Sequence, residues 1–417
     1  MDAGTPRPKG RSISTRCCIV GGGPAGMMLG YLLGRAGVET VVLEKHADFF
    51  RDFRGDTVHP STLQVMDELG LIDDFLKVPH DELKKLEGQF GTTHLRVADV
   101  GRSGAKYPFI AFMPQWDFLN FLRDKGRRYP ALKLLMSTEA TGLIWSGDRV
   151  AGVEATDKDG PLEIRADLTV ACDGRHSIVR PSANLDVEEI GAPMDVLWFR
   201  ASKGANEDSM FARVEAGKMM ITLDRRTYWQ CAFVIPKGGY DAVKAHGLEA
   251  FRAAVVELAP NIRHGIGDVQ SWDDVKLLTV AVNRLKTWTR PGLLCIGDAA
   301  HAMSPVGGVG VNLAVQDAVA TANILATKLM RGAVGEDDLA EVQRRREFPM
   351  RVTQAMQVIV QNNIINVALK PGNTPFQPPL LLRIVNAVPF LQGLTARFIA
   401  VGARPEHVHS PEASLSN

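Results

Sequence analysis

The chain has 417 residues, 45% hydrophobic and 23% charged, which is an ordinary enzyme composition and enough chain for two or three domains. A formal net charge of +1 gives no electrostatic reason for nucleic acid or acidic lipid as a partner. Five cysteines without metal-ligand spacing argue against a metal centre and read as buried free thiols in a reducing compartment, the cytoplasm.

Residues 1–15 contain two chain breakers, Pro6 and Pro8, among the cations Arg7, Lys9 and Arg11, and no apolar core. They read as a disordered tail, and a secretory signal is excluded. "CCIVGGGPAGMMLGYLLGRAGVETVVLEK" then reads as strand, tight turn, helix and strand. Gly21, Gly23 and Gly26 have the G-x-G-x-x-G spacing that admits a pyrophosphate to a helix N-terminus. Glu44 ends the second strand, where a carboxylate can accept both hydroxyls of an adenosine ribose. Its neighbour Lys45 is a further expected cofactor contact. Dinucleotide binding follows, without separating NAD from FAD.

"ADLTVACDGRHSIVR" is an apolar strand ending in Asp173-Gly174 and a basic turn. From residue 190 to 282 the pattern changes to antiparallel strands and hairpins, with the amphipathic helix "GLEAFRAAVVELAP". "GDAAHAMSPVGGVGVNLAVQDA" (297–318) follows another apolar strand with an acid, a glycine-rich loop and a helix that buries one face. "PLLLRIVNAVPFLQGLTARFIAVG" comes nearest to a membrane span, but Arg383, Pro389 and Arg397 interrupt it, so C-terminal helices and no membrane span are expected.

In this order and at these separations the segments resemble the class A flavoprotein monooxygenases, the aromatic hydroxylases typified by para-hydroxybenzoate hydroxylase. The likeness covers about residues 15–330. Gly21-Gly22-Gly23-Pro24-Ala25-Gly26 matches the ADP-binding motif, and Asp173-Gly174 matches a second motif that contacts FAD. Gly297-Asp298 with Pro305 and Gly307 to Asn312 matches a third, in which the acid holds the ribityl chain. "DFRGDTVHPSTLQVMDELGL" supplies Arg54, toward FAD or the incoming nucleotide, and "MPQWDFLNFL" supplies Gln115 as a flavin ligand.

The resemblance implies an α/β fold: a Rossmann-like FAD-binding domain, a discontinuous substrate domain on an antiparallel sheet, and C-terminal helices. The expected FAD-binding segments are 16–82, 99–189 and 283–330; the substrate domain takes 83–98 and 190–282. A helical region over 331–405 and a tail over 406–417 complete the chain. Reduced flavin is anionic, and the N–H groups of Val311 and Asn312 at a helix N-terminus suit that charge. Gly307, Gly308 and Gly310 leave room beside the ring.

The implied activity is hydroxylation of an aromatic or heteroaromatic small molecule, with NADPH or NADH as transient reductant, O2 as co-substrate and a flavin C4a-hydroperoxide as oxygen donor. Pro305, His59 and Arg54 are the expected catalytic group, His59 as an acid or base toward a phenol-like substrate. Trp198, Phe211, Arg213, Met220 and Tyr228 are expected to line the substrate cavity. No metal is expected, and the chain is read as a monomer or homodimer. Two rivals share the fold. A halogenase usually shows Trp-x-Trp-x-Ile-Pro, whereas "WQCAFVIP" lacks the second Trp. A geranylgeranyl-reductase-like enzyme draws its support from the apolar C-terminal helices.

Overall fold

The computed structural model describes residues 11–50, 57–204, 211–225, 227–370, 372 and 376–414. Its first half is organised by a strand, Arg11–Val20, whose last four residues are buried. Pro24 at the first helical position starts α1 (Pro24–Arg35), and the chain returns as the buried strand Thr40–Leu43. Arg11–Val20 lies between Thr40–Leu43 and Gly160–Ala171 and is parallel to both. Leu132–Leu135 extends one side and Leu293–Cys295 the other, again in parallel. Helices α2 (Pro60–Glu68) and α3 (Gln115–Gly126) belong to the crossover between these strands.

A second sheet has seven strands and joins two distant stretches of chain. Lys85–Phe90 and Thr93–Asp99 form a hairpin at one edge, followed by Ala212–Glu215, Lys218–Asp224, Tyr228–Pro236, Met194–Ser202 and Lys276–Leu278. Neighbouring strands are antiparallel except Lys85–Phe90 and Ala212–Glu215. Helix α4 (Leu248–Leu258) covers one face through Phe251 and Val255.

Helix α5 (Gly310–Met330) packs on α1 and is buried along most of its length. With the turn before it, this segment is long and apolar enough to cross a membrane, but 83% of the apolar window is buried inside the molecule. It is a core helix, packed with the parallel strands. Helix α6 (Glu336–Val360) continues into a wide turn of π-type at Gln361–Ile365. Helices α7 (Leu380–Ala387) and α8 (Pro389–Ala400) pack on the strand Thr93–Asp99.

Both ends of the described chain are more ordered than the sequence suggests. Residues 11–15, expected in a disordered tail, already pair with 162–166. In the expected tail from 406, Glu406 is buried against Arg345 and Arg346, and Ala413 N–H donates to Arg35 O. The five cysteines are free and buried. Burial pushes the Cys18 thiol up to about 12.

Candidate functional site

Three adjacent parallel strands end at one level: Val20 is in register with Ala171, and Ala171 with Cys295. The three glycine- and acid-bearing motifs therefore leave the sheet side by side. In open α/β sheets the crevice beyond the carboxyl ends of the strands is where ligands bind.

The first motif is built by close approach. A side chain at Gly26 would meet Gly21 O at 1.9 Å, so only glycine lets α1 pack against the turn. At Gly23, Gly174 and Gly310, by contrast, a Cβ would meet nothing within 4 Å. This leaves an open, backbone-lined cradle that fits a dinucleotide pyrophosphate and a flat ring. Pro24 and Ala25 open α1 at this cradle. Glu44 directly follows the neighbouring strand, and its carboxylate accepts from Gly22 N–H at 3.1 Å and His46 N–H at 3.0 Å. Lys45 is exposed beside it.

Asp173 sits at the end of the next strand. Burial pushes its carboxyl up, opposed by N–H groups including those of Ile178 at 2.9 Å and Val179 at 3.2 Å. Asp298 lies one strand over, part-exposed, with Arg175 3.5 Å from its Oδ2. Beneath it is a buried ionic cluster. Asp317, on α5, accepts from Gly297 N–H at 3.0 Å, from His301 Nε2 at 2.6 Å and from Arg346 Nε at 2.9 Å. Burial pushes the Asp317 carboxyl up, but His301 and Arg346 outweigh it and hold it below the usual range. His301 is thus a buried support for the turn that carries Asp298.

The loop Pro305–Val309 then leads into α5. Gly308 has φ +63°, and a Cβ there would lie 2.6 Å from Thr57 Oγ1. Thr57 Oγ1 donates to Gly308 O at 2.7 Å and fixes the loop. Val311 and Asn312 lie in the first turn of α5, whose N–H groups have no carbonyl partner within the helix. Asn312 Oδ1 accepts from Ser61 Oγ and Thr62 Oγ1, both at 2.7 Å, which ties α5 to the start of α2. Gln115 opens α3 three residues after Phe112, the register partner of Thr57. Arg54 lies outside the described residues.

Two expectations change here. His59 has no exposed surface; its Nδ1 donates to Ile399 O at 2.9 Å. Burial lowers its pKa to about 4, against the backbone carbonyl groups of Ile399 and Gly308. It is a neutral joint between α2 and α8, poorly suited to exchanging protons with a substrate at neutral pH. The second change concerns the large sheet. Met220 belongs to the cluster that packs on Phe251 of α4, together with Trp229 and Phe233. Arg213, in register with Met220, shares that face, and partial burial lowers its pKa. Neither faces the loop at 305–310.

The opposite face does. Trp198 packs beside Val196, Ala232 and Ile221 in a cluster that includes Val306. Phe211 packs near Phe112, Leu223, Ala396 and Ala400. Tyr228 alternates with Trp229, so it shares the face of Trp198, and the Arg200 guanidinium lies 5.1 Å from its ring centre. Trp198, Phe211 and Tyr228 thus lie on the sheet side that packs toward Val306 and Phe112, and Arg213 and Met220 on the side covered by α4.

Sequence reasoning missed Arg175, Thr57, Asp317, Arg346 and three glutamines of the α6 face. One signal was available: Asp317 is a lone acid within the apolar run Leu313–Leu325.

A family model described as "FAD binding domain" matches residues 14–356. The chain is 32% identical over 400 residues to 6-methylpretetramide 4-monooxygenase of Streptomyces rimosus, covering 91% of this chain and 94% of that protein. Among solved structures, p-nitrophenol 4-monooxygenase PnpA from Pseudomonas putida DLL-E4 superposes with a TM-score of 0.73 at 20% identity, covering 93% of this chain and 96% of the other. OxyS anhydrotetracycline hydroxylase from Streptomyces rimosus gives 0.70 at 23% identity, covering 93% and 76%. At these identities the two structures establish a shared fold.

Proposed function

Because the chain belongs to the FAD binding domain family, we propose that its three aligned motifs hold FAD against the Trp198 face of the large sheet, where a polycyclic aromatic substrate is hydroxylated. The protein is an FAD-dependent monooxygenase that uses NAD(P)H and O2. Bound FAD supplies hydride acceptance and oxygen activation.

The chain's own residues bind, orient and shield. The Gly21–Gly26 turn, with Pro24 and Ala25, brings pyrophosphate to the N-terminus of α1, and Glu44 takes the adenosine ribose, with Lys45 beside it. Asp173, Gly174 and Asp298 hold the middle of the cofactor. Gln115 and the loop from Pro305 through Gly308 and Gly310 border the ring. The first-turn N–H groups of Val311 and Asn312 stabilise negative charge on its reduced form. Trp198, Phe211 and Tyr228 present aromatic surface to the substrate and keep water from the reacting face. Arg54 attracts the phosphate of NAD(P)H. His59 is assigned to holding the start of α2 and α8 together.

The observation that carries this reading is the shared register of Val20, Ala171 and Cys295, which sets all three motifs on one crevice. For the substrate we take a compound of the pretetramide kind, since the relative matched over nearly its whole length is named for 6-methylpretetramide. The NAD(P)H requirement and the free thiols favour a cytoplasmic setting. The test uses purified protein reconstituted with FAD: 6-methylpretetramide should accelerate NAD(P)H oxidation and gain one oxygen atom by mass. A protein that takes up FAD but never oxygenates that compound or a close polycyclic relative would refute the substrate assignment. Failure to take up FAD would refute the whole reading.

A further inference from the structure

Three glutamines on α6 and its wide terminal turn, Gln354, Gln357 and Gln361, fall at spacing i, i+3, i+7 and share one helix face. All three are buried, at 1%, 4% and 1% exposure. Their side-chain amides converge on one segment, residues 302–306, immediately before the glycine loop.

Strand pairing of that segment stops early: Ala302 pairs with Asn283, and the ladder goes no further. Beyond it the glutamines take over. Gln354 Nε2 donates to Asn283 O at 3.0 Å and Ala302 O at 3.3 Å. Gln357 Nε2 donates to Ser304 O and Val306 O, both at 2.9 Å, while its Oε1 accepts from Ser304 N–H at 3.1 Å. Gln361 Nε2 donates to Ser304 Oγ at 2.6 Å. A side-chain amide carries the donor and acceptor of a peptide unit, so Gln357 replaces a missing neighbouring strand.

The same helix also reaches the turn at Gly297–Asp298, through Asp317. Arg346 grips Asp317, which accepts from Gly297 N–H beside Asp298. One rigid element therefore sets both the acid and the start of the loop. Within the loop Gly307 and Gly308 have positive φ and no side chains, Gly308 N–H turns back to Pro305 O, Val306 packs under the large sheet, and Thr57 fixes Gly308 O from the far side. The wide turn begins at Gln361, the last rung, and π-type turns are frequent at functional sites.

The geometry points to Gln354, Gln357 and Gln361 as positioning residues that set the height of the 305–310 loop against the flavin ring, an inference that rests on the FAD reading above. Their contribution is then to how well the loop's N–H groups meet negative charge on the reduced ring. It should be read in flavin redox behaviour more than in cofactor retention, which the motifs at Gly21–Gly26 and Glu44 dominate.

The test compares Gln357→Leu with the parent holoenzyme. Gln357→Leu should keep near-parent FAD affinity. It should shift the oxidised–reduced equilibrium roughly tenfold toward oxidised flavin, about 30 mV for a two-electron couple. A larger share of NAD(P)H should end as hydrogen peroxide. Gln361→Met, which removes a single bond, should show a smaller shift of the same sign and serves where Gln357→Leu fails to fold. Leu339→Ala, a buried truncation on the same helix away from the segment, is the control for simple destabilisation. Unchanged potential and peroxide yield in the glutamine variants, or an equal change in Leu339→Ala, would overturn the inference while leaving FAD binding intact. A parent protein that takes up no FAD would overturn this inference together with the FAD reading.

Discussion

His59 offers a direct measurement of its own burial. With a pKa of about 4 in the folded chain and 6.5 as the ordinary value, the unfolded chain binds a proton in that window that the folded chain does not. Stability therefore rises with pH between the two values. The contribution is fully present above 6.5 and is lost as pH falls from 6.5 toward 4. Going from about pH 7 to about pH 5 should remove about 2 kcal/mol through this group alone. His59→Asn keeps a side-chain N–H for Ile399 O and removes the titration. Urea unfolding of both proteins at the two pH values isolates the effect as a double difference, because every other titrating group contributes to both. Equal losses in parent and variant would refute the reasoning. The same variant also tests the chemical role. A general base normally contributes on the order of 10²-fold or more to turnover, so a much smaller loss of kcat near neutral pH is expected.

Glu44→Ala should weaken FAD retention by roughly 1.5–3 kcal/mol if charge-assisted ribose bonds are lost, read as a rise in Kd by equilibrium dialysis. Asp317→Asn keeps the shape of the side chain but breaks a buried ion pair with Arg346, and should cost about 3–5 kcal/mol in unfolding free energy. Trp198→Ala should raise the KM for the aromatic substrate severalfold, whereas Met220→Leu, behind the sheet, should leave it unchanged; the reverse result would mean the faces are assigned wrongly.

What could be read from the sequence was what the chain encodes locally. The turn at Gly21–Gly26 needs glycine because its own backbone fills the space of a side chain, and that need shows as spacing within six residues. The acids at Glu44, Asp173 and Asp298 follow apolar strands for the same local reason: each sits just past a strand end. Alternation along Lys218–Asp224 separates Met220 from Ile221, but it says nothing about which face meets which layer. Only the packing of Phe251 from α4 decides that, and it puts Met220 and Arg213 on the far side. His59 looked reactive because its partner, Ile399, lies 340 residues away. The support beneath Asp298 was hidden in the same way, since Asp317, Arg346 and Glu406 come from three separated stretches. A backbone-lined site is thus announced by its glycines, whereas its supports are polar side chains whose bonds close over long loops. Those supports still leave a trace where they interrupt an apolar face. Asp317 does so between Val315 and Val319, whereas the three glutamines lie on a buried face of α6 and its terminal turn that already carries Arg346 and Thr353 and so do not stand out. Such positions carry a desolvation cost that only specific partners offset, which is why their burial, more than their identity, marks them for mutation.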